Sequence, residues 1–142
     1  LFVSKGHEMT SEVWINLPVQ DIERSKGFYL GIGFSLSVHG NGPYAAGFKI
    51  GPKNLVMMLF ENEFFRQMLG EDTPEGRGAE MLISLRAESR DDIDKLAVLV
   101  PEAGGDIVTP PAEQLGWMYC LGFKDPDGHR WNALYMDLEK MK

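Results

Sequence analysis

The feature that most restricts the fold of this chain is a pattern that occurs twice at the same offset. Ile15-Asn16-Leu17 ends four residues before Asp21, and Ile83-Ser84-Leu85 ends four residues before Ser89. In each copy an alternating apolar run, read as a strand, leads to a residue whose side-chain oxygen can accept from the free amides of a first helical turn. A chain that repeats strand and capped helix about seventy residues apart is constrained to two copies of one supersecondary unit.

The segments after each cap extend the match. Behind Asp21, the residues Ile22, Ser25, Phe28 and Tyr29 fall at helical spacing, and Gly31 and Gly33 end the helix. Strands are expected over 34–38, 44–50 and 55–60, separated by the loop His39-Gly40-Asn41-Gly42-Pro43 and the turn Gly51-Pro52-Lys53-Asn54. Residues 61–70 suit a short helix closed by Gly70, and the acidic stretch 71–79 reads as an exposed linker. The order then restarts with a strand over 81–87. Ser89 caps a helix whose first turn carries Asp91 and Asp92 at the positive end of its dipole. Ile93, Leu96, Ala97 and Val100 form that helix's apolar stripe, Pro101 disrupts its last turn, and Gly104-Gly105 ends it. Ile107-Val108 is a short strand that runs into Pro110-Pro111.

A hairpin over 116–124 and 129–136 closes the chain. Asp125-Pro126-Asp127-Gly128 supplies its turn, because Asp bonds its own backbone, Pro presets φ and Gly tolerates positive φ. In the second strand Trp131, Ala133 and Tyr135 alternate with Asn132 and Leu134. The aromatic-rich set belongs in the core, so Asn132 is expected on the other face. By the same parity His129 points away from Asn132 and reads as a surface histidine. The element order is β-α-β-β-β twice, which makes the fold class α+β. Two tandem modules over 9–70 and 80–137 are expected, with helices on the outer faces of cupped mixed sheets and a tail over 138–142. Residues 1–8, which precede Met9, are too short and charged for a signal peptide and read as a leader or an expression remnant.

Composition narrows the function. The formal net charge is −7 with no basic cluster, which argues against a nucleic-acid backbone or an anionic membrane surface as partner. Cys120 has no second cysteine to pair with and lies in an apolar run, so it reads as a small buried hydrophobe in a cytoplasmic protein.

Two stretches carry a family resemblance. LPVQDIERSKGFYLGIGF resembles the opening of the vicinal-oxygen-chelate superfamily, which comprises glyoxalase I, bleomycin-resistance proteins and extradiol dioxygenases. FKDPDGHRWN resembles its closing hairpin, and VWINLPV, ENEFF and GWMY are similar to the branch called predicted lactoylglutathione lyases. The resemblance implies a homodimer. In metal-dependent members it also implies four His/Glu ligands on strand positions that face the cup. Carried over, these positions fall on Trp14, Met58, Leu82 (Met81 if the register shifts by one) and Asn132. An indole, a thioether and an aliphatic chain do not bind Zn²⁺, Ni²⁺ or Mn²⁺, and one neutral amide oxygen binds them feebly. The glyoxalase reaction needs a metal to hold an enediolate and a Glu to move the proton, and neither is supplied here.

No catalytic residue and no metal ligand is therefore assigned, and no cofactor is expected. His39 lies in a loop, His7 in the leader, and Glu61 and Glu63 read as solvated carboxylates starting a helix. The reading is a small-molecule-binding protein whose cup presents Trp14, Asn16, Met58, Leu82, Ser84 and Asn132 to a largely apolar ligand, with Arg86 at a strand end. The alternative is a lactoylglutathione lyase-like enzyme or a dioxygenase that holds Zn²⁺, Ni²⁺ or Mn²⁺ with non-standard ligands.

Overall fold

The computed structural model describes residues 13–38, 40–53, 55–69 and 81–141. In chain order the elements are β1 (Val13–Val19), α1 (Ile22–Gly31), β2 (Ser35–Leu36), β3 (Ala45–Ile50), β4 (Leu55–Glu61) and α2 (Asn62–Leu69). The second series is β5 (Leu82–Arg86), α3 (Arg90–Glu102), β6 (Asp106–Gln114), β7 (Met118–Lys124), β8 (Arg130–Met136) and α4 (Leu138–Met141). Two four-stranded mixed sheets result, ordered β1-β4-β3-β2 and β5-β8-β7-β6. In each, the first strand pairs parallel with the last, and the remaining pairs are antiparallel. The repeat seen in the sequence is thus a repeat of topology. Asn16 pairs with Met58 in the first sheet and Ser84 with Asn132 in the second. The leader, the linker 71–79, Gly70, His7 and His39 lie outside the described residues.

The residues fall into two compact units that do not follow the halves of the chain. The first holds the first sheet and α2; the second holds the second sheet, α3 and also residues Glu23–Gly33, most of α1. An amphipathic stripe states that a helix buries one face, but not against which sheet. In α1 the decision is made by polar groups. Tyr29 donates its hydroxyl to Asp125 Oδ2 at 2.5 Å and accepts from Trp131 Nε1 at 3.2 Å. Ser25 donates to Asp127 Oδ2 at 2.7 Å, and Arg24 bonds Asp127 Oδ1 at 2.9 Å. The same turn closes on itself, because Asp125 Oδ1 accepts the amides of Asp127 (3.0 Å) and His129 (2.8 Å). The Asp-Pro-Asp-Gly turn therefore joins β7 to β8 and also anchors a helix about a hundred residues upstream.

Around that anchor lies the core of the second unit. Trp131 stacks on Phe123 with centroids 6.1 Å apart and meets the Tyr29 ring at 5.8 Å, while Phe28 meets Tyr29 edge-on at 4.9 Å. Ile93 and Val100 of α3 and Leu121 and Ala133 of the sheet are fully or almost fully buried with them. Gly105 is required by close approach, since a Cβ there would stand 2.6 Å from both the Lys124 carbonyl oxygen and Phe28 Cε1. The helix α3 starts as its sequence dictates, with Ser89 Oγ accepting the Asp92 amide at 3.1 Å, and Pro101 sits in its last turn.

β6 is longer than the sequence suggests, and it continues through Pro110 and Pro111. Pro lacks the amide that a central strand would use, but β6 is an edge strand and its register shifts between Ile107 and Thr109 and again between Thr109 and Ala112. The edge position and the bulges absorb both prolines. Pro18 is accommodated likewise, in the edge strand β1. In the first unit, the central strand β4 is buried on both faces: Met57 and Leu59 on one, Val56 and Met58 on the other. Glu61 ends this strand, and its carboxylate accepts the amides of Glu63 and Phe64, so it caps α2.

Candidate functional site

Strand parity places the six sequence-derived site residues on one face of each sheet. In the first sheet Trp14, Asn16 and Pro18 share a face with Val56, Met58 and Phe60, their register partners on β4. In the second, Leu82, Ser84 and Arg86 share a face with Arg130, Asn132 and Leu134 on β8. The opposite face of the second sheet carries Ile83, Leu85, Trp131, Ala133, Leu121 and Phe123 and packs on the helices. Asn132 accordingly turns away from the aromatic core, as the alternation in the sequence requires.

The six differ in accessibility. Trp14 is 49% exposed and Leu82 is 54% exposed, which is unusual for large apolar side chains at the centre of a repeat. Asn16 and Ser84 are exposed beside them. Met58 is buried instead, 3% exposed, because the loop at Gly40 lies over it. Gly40 has φ +90, a conformation that favours glycine, and a Cβ there would meet only the flexible tip of Met58, 2.9 Å from its Cε. Asn132 is half-buried, and its Oδ1 is fully shielded with no hydrogen-bond partner among the described residues. A shielded acceptor without a donor costs about 1–3 kcal/mol, which marks Asn132 as a group built to meet something else.

Alternation also places on this face a residue that the sequence reading did not select. Arg130 lies two residues before Asn132, and its Nε is likewise shielded without an acceptor. The parity that assigns Asn132 to this face assigns Arg130 equally. His129 precedes β8 and belongs to the turn, where its amide donates to Asp125.

The four positions to which the sequence resemblance carries the metal ligands offer no usual donor set for a divalent ion. They hold an indole, a thioether, an aliphatic chain and one carboxamide, and among the described residues no three His, Cys, Asp or Glu side chains cluster in a way that could hold a metal. Two of the titratable groups with shifted behaviour, Tyr29 and Asp125, serve the core. Burial, then the Asp125 and Asp127 charges and the bond to Asp125, hold the Tyr29 hydroxyl protonated, against a smaller opposing pull from Trp131. Burial raises Asp125 above the usual carboxylate range, against the opposing pull of His129 and of its hydrogen bonds. Burial also pushes the Cys120 thiol up, with the Glu113 charge adding to it. On the first unit a shallow cleft of about 230 Å³ is lined by Tyr44, Glu61, Glu63, Phe64 and Gln67. Its acids are engaged: Glu61 caps α2 and Glu63 pairs with Arg66.

Comparison with known proteins agrees with this architecture. Among solved structures, a hypothetical protein from S. aureus is 34% identical and superposes with a TM-score of 0.78, covering 90% of this chain and 95% of its own. TnmS3, an antibiotic binding protein from Streptomyces sp. CB03234, is 21% identical with a TM-score of 0.63, covering 92% and 99%. The fosfomycin resistance protein FosX from Mesorhizobium loti is 18% identical with a TM-score of 0.65, covering 95% and 98%. No curated protein matches the sequence. No helix among the described residues is long and apolar enough to cross a membrane. Residues 13–133 match the family description itself, and the chain belongs to the Glyoxalase/Bleomycin resistance protein/Dioxygenase superfamily.

Proposed function

We propose that this protein binds small, largely apolar molecules without using a metal ion, with Trp14 and Asn16 as the contacts that the face of the first sheet offers and Leu82, Ser84 and Asn132 as those that the face of the second sheet offers. The observation that carries the reading is the pairing of absent donors with displayed apolar surface. Where metal-dependent members place ligands, this chain places Trp14, Met58, Leu82 and Asn132, and two of these are half-exposed apolar side chains. A half-exposed indole and a half-exposed leucine suit contact with an apolar or aromatic body. Two similar structures, an antibiotic binding protein and a fosfomycin resistance protein, support the reading that this fold is used to hold small molecules.

The apolar contribution alone is modest. Burying about 150 Å² of ligand surface at about 25 cal/mol per Å² contributes about 4 kcal/mol before association costs, so micromolar affinity requires the polar groups as well. Asn16 on the first sheet, and Ser84 and Asn132 on the second, are the neutral hydrogen-bonding groups that each face has for orienting a ligand. The homodimer and the cytoplasmic setting expected from the sequence belong to the same proposal.

Trp14 provides its own assay, by emission during titration with a neutral naphthalene probe and a small-molecule library. Saturable quenching that Trp14→Phe abolishes and EDTA leaves unchanged is expected. Hemithioacetal turnover on adding Ni²⁺, Zn²⁺ or Mn²⁺, lost in Asn132→Ala, would overturn the reading in favour of a metal-dependent lyase.

A further inference from the structure

The helix-averted face of the second sheet can be written out row by row from its register. The outermost row runs Leu82, Arg130, Lys124, Asp106 across the four strands, the next runs Ser84, Asn132, Gly122, Thr109, and the third runs Arg86, Leu134, Cys120, Ala112. Three cations, Arg130, Lys124 and Arg86, therefore share one face of a protein whose net charge is −7. Arg130 and Lys124 are direct cross-strand partners. Like charges at that spacing, with Cβ atoms about 5 Å apart, destabilise a sheet. The acid in the row, Asp106, neighbours Lys124, yet no ion pair joins them, and none engages Arg130 or Arg86 among the described residues. The second row holds the shielded, partnerless Asn132 Oδ1, two residues along β8 from the shielded, partnerless Arg130 Nε. Gly122 puts no side chain beside Asn132, and a Cβ there would stand 3.3 Å from the Thr109 side chain.

Two facing cations, an orphaned N–H donor and an orphaned acceptor make a complementary imprint of a ligand. We propose that this face recognises a compact oxyanion, a carboxylate at one end of an apolar body, together with a hydroxyl donor at the other end. The Arg130 guanidinium and the Lys124 ammonium donate to the oxyanion and the ligand hydroxyl donates to Asn132 Oδ1, with the Arg130 and Asn132 side chains turning their shielded Nε–H and Oδ1 towards the ligand as it enters. The i, i+2 spacing of Arg130 and Asn132 along β8 sets the two ligand ends about 7 Å apart, the length of two strand residues. A hydroxyaryl carboxylate has that form, with the ring lying along Leu82 and Leu134. This deepens the proposed small-molecule function and rests on it only in using the same sheet face.

The test is a calorimetric titration with 4-hydroxybenzoate, its methyl ester and benzoate, at low and moderate salt, on the full chain. The acid is expected to bind at least about tenfold more tightly than the ester, the ratio equivalent to about 1.4 kcal/mol. Salt should weaken the acid and not the ester. Arg130→Gln and Lys124→Gln should each erase most of the acid–ester ratio, Arg130→Lys should restore part of it, and Lys95→Gln, on the exposed side of α3, should not change it. Asn132→Leu should remove the advantage of 4-hydroxybenzoate over benzoate. In the unmutated protein the Arg130 Nε–H resonance, assigned by its loss in Arg130→Gln, should shift with the acid alone. Equal affinities for acid and ester, an unmoved Nε–H signal, or no binding of the acid at millimolar concentration would overturn the inference. The neutral naphthalene titration separates the two proposals. If the naphthalene binds at Trp14 and the acid fails, the anion site falls and the apolar function stands. If the acid binds through Arg130 while naphthalene fails, the anion site stands and the apolar reading falls.

Discussion

Replacing Tyr29 with Phe should unlatch α1 from the hairpin turn at a cost that can be worked from the structure. The ring keeps its contacts with Phe28 and Trp131, so the perturbation is confined to one hydroxyl. That hydroxyl donates at 2.5 Å to Asp125 Oδ2, in a residue 1% exposed, and accepts from Trp131 Nε1 at 3.2 Å. Asp125 keeps its two backbone donors on Oδ1, while Oδ2 loses its partner. A hydrogen bond to a buried charge is worth about 1.5–3 kcal/mol, and the indole bond adds about 1 kcal/mol, so the total is about 2–4 kcal/mol. For a chain of this size that lowers Tm by roughly 8–15 °C. Urea unfolding followed by tryptophan emission and circular dichroism measures it, with Tyr44→Phe as the control, because Tyr44 is 60% exposed. Losing a donor should also raise the Asp125 pKa further, so the penalty should shrink as pH falls through the native Asp125 pKa and the carboxyl protonates. A Tyr29→Phe protein within about 0.5 kcal/mol of the parent, an ordinary surface effect, would refute the latch.

Other consequences follow from the same packing. Asp125 is raised above its unfolded value, so its protonation stabilises the fold fully at low pH, and that contribution is lost as pH rises through the native pKa. The parent should therefore gain stability on acidification from neutral towards the ordinary carboxylate range, and Asp125→Asn should gain less, as urea midpoints across that window would record. Cys120 is buried with its thiol pushed up, so alkylation by iodoacetamide at pH 8 should be slow in the native state and fast in urea, as mass spectrometry would read. Gly105→Ala should destabilise by about 1–3 kcal/mol, because its Cβ would meet the Lys124 carbonyl and the Phe28 ring and neither backbone nor core can yield freely.

How much of this was legible in the chain depends on the range of the interaction. The hairpin, the Ser89 cap and the alternation that turns Asn132 from the core are local, and each is written within a few residues. The repeat carried the topology, since Ile15-Asn16-Leu17 and Ile83-Ser84-Leu85 do occupy equivalent parallel edge strands. What was not legible is non-local. Nothing near Tyr29 states that its hydroxyl needs a carboxylate 96 residues away, so α1 could not be assigned to the second sheet. The covering of Met58 by Gly40 depends on a loop conformation that glycine permits without specifying. Pro110-Pro111 read as the end of a strand because edge position is a property of the sheet. Arg130 was within reach: counting two back from Asn132 finds it.

Metal stoichiometry measures the central claim most directly. Elemental analysis of untagged protein, equilibrated with Ni²⁺, Zn²⁺ and Mn²⁺ and then dialysed, should return well under one ion per chain, with no difference between the parent and Asn132→Ala. One tightly held divalent ion per chain, released in Asn132→Ala, would contradict it.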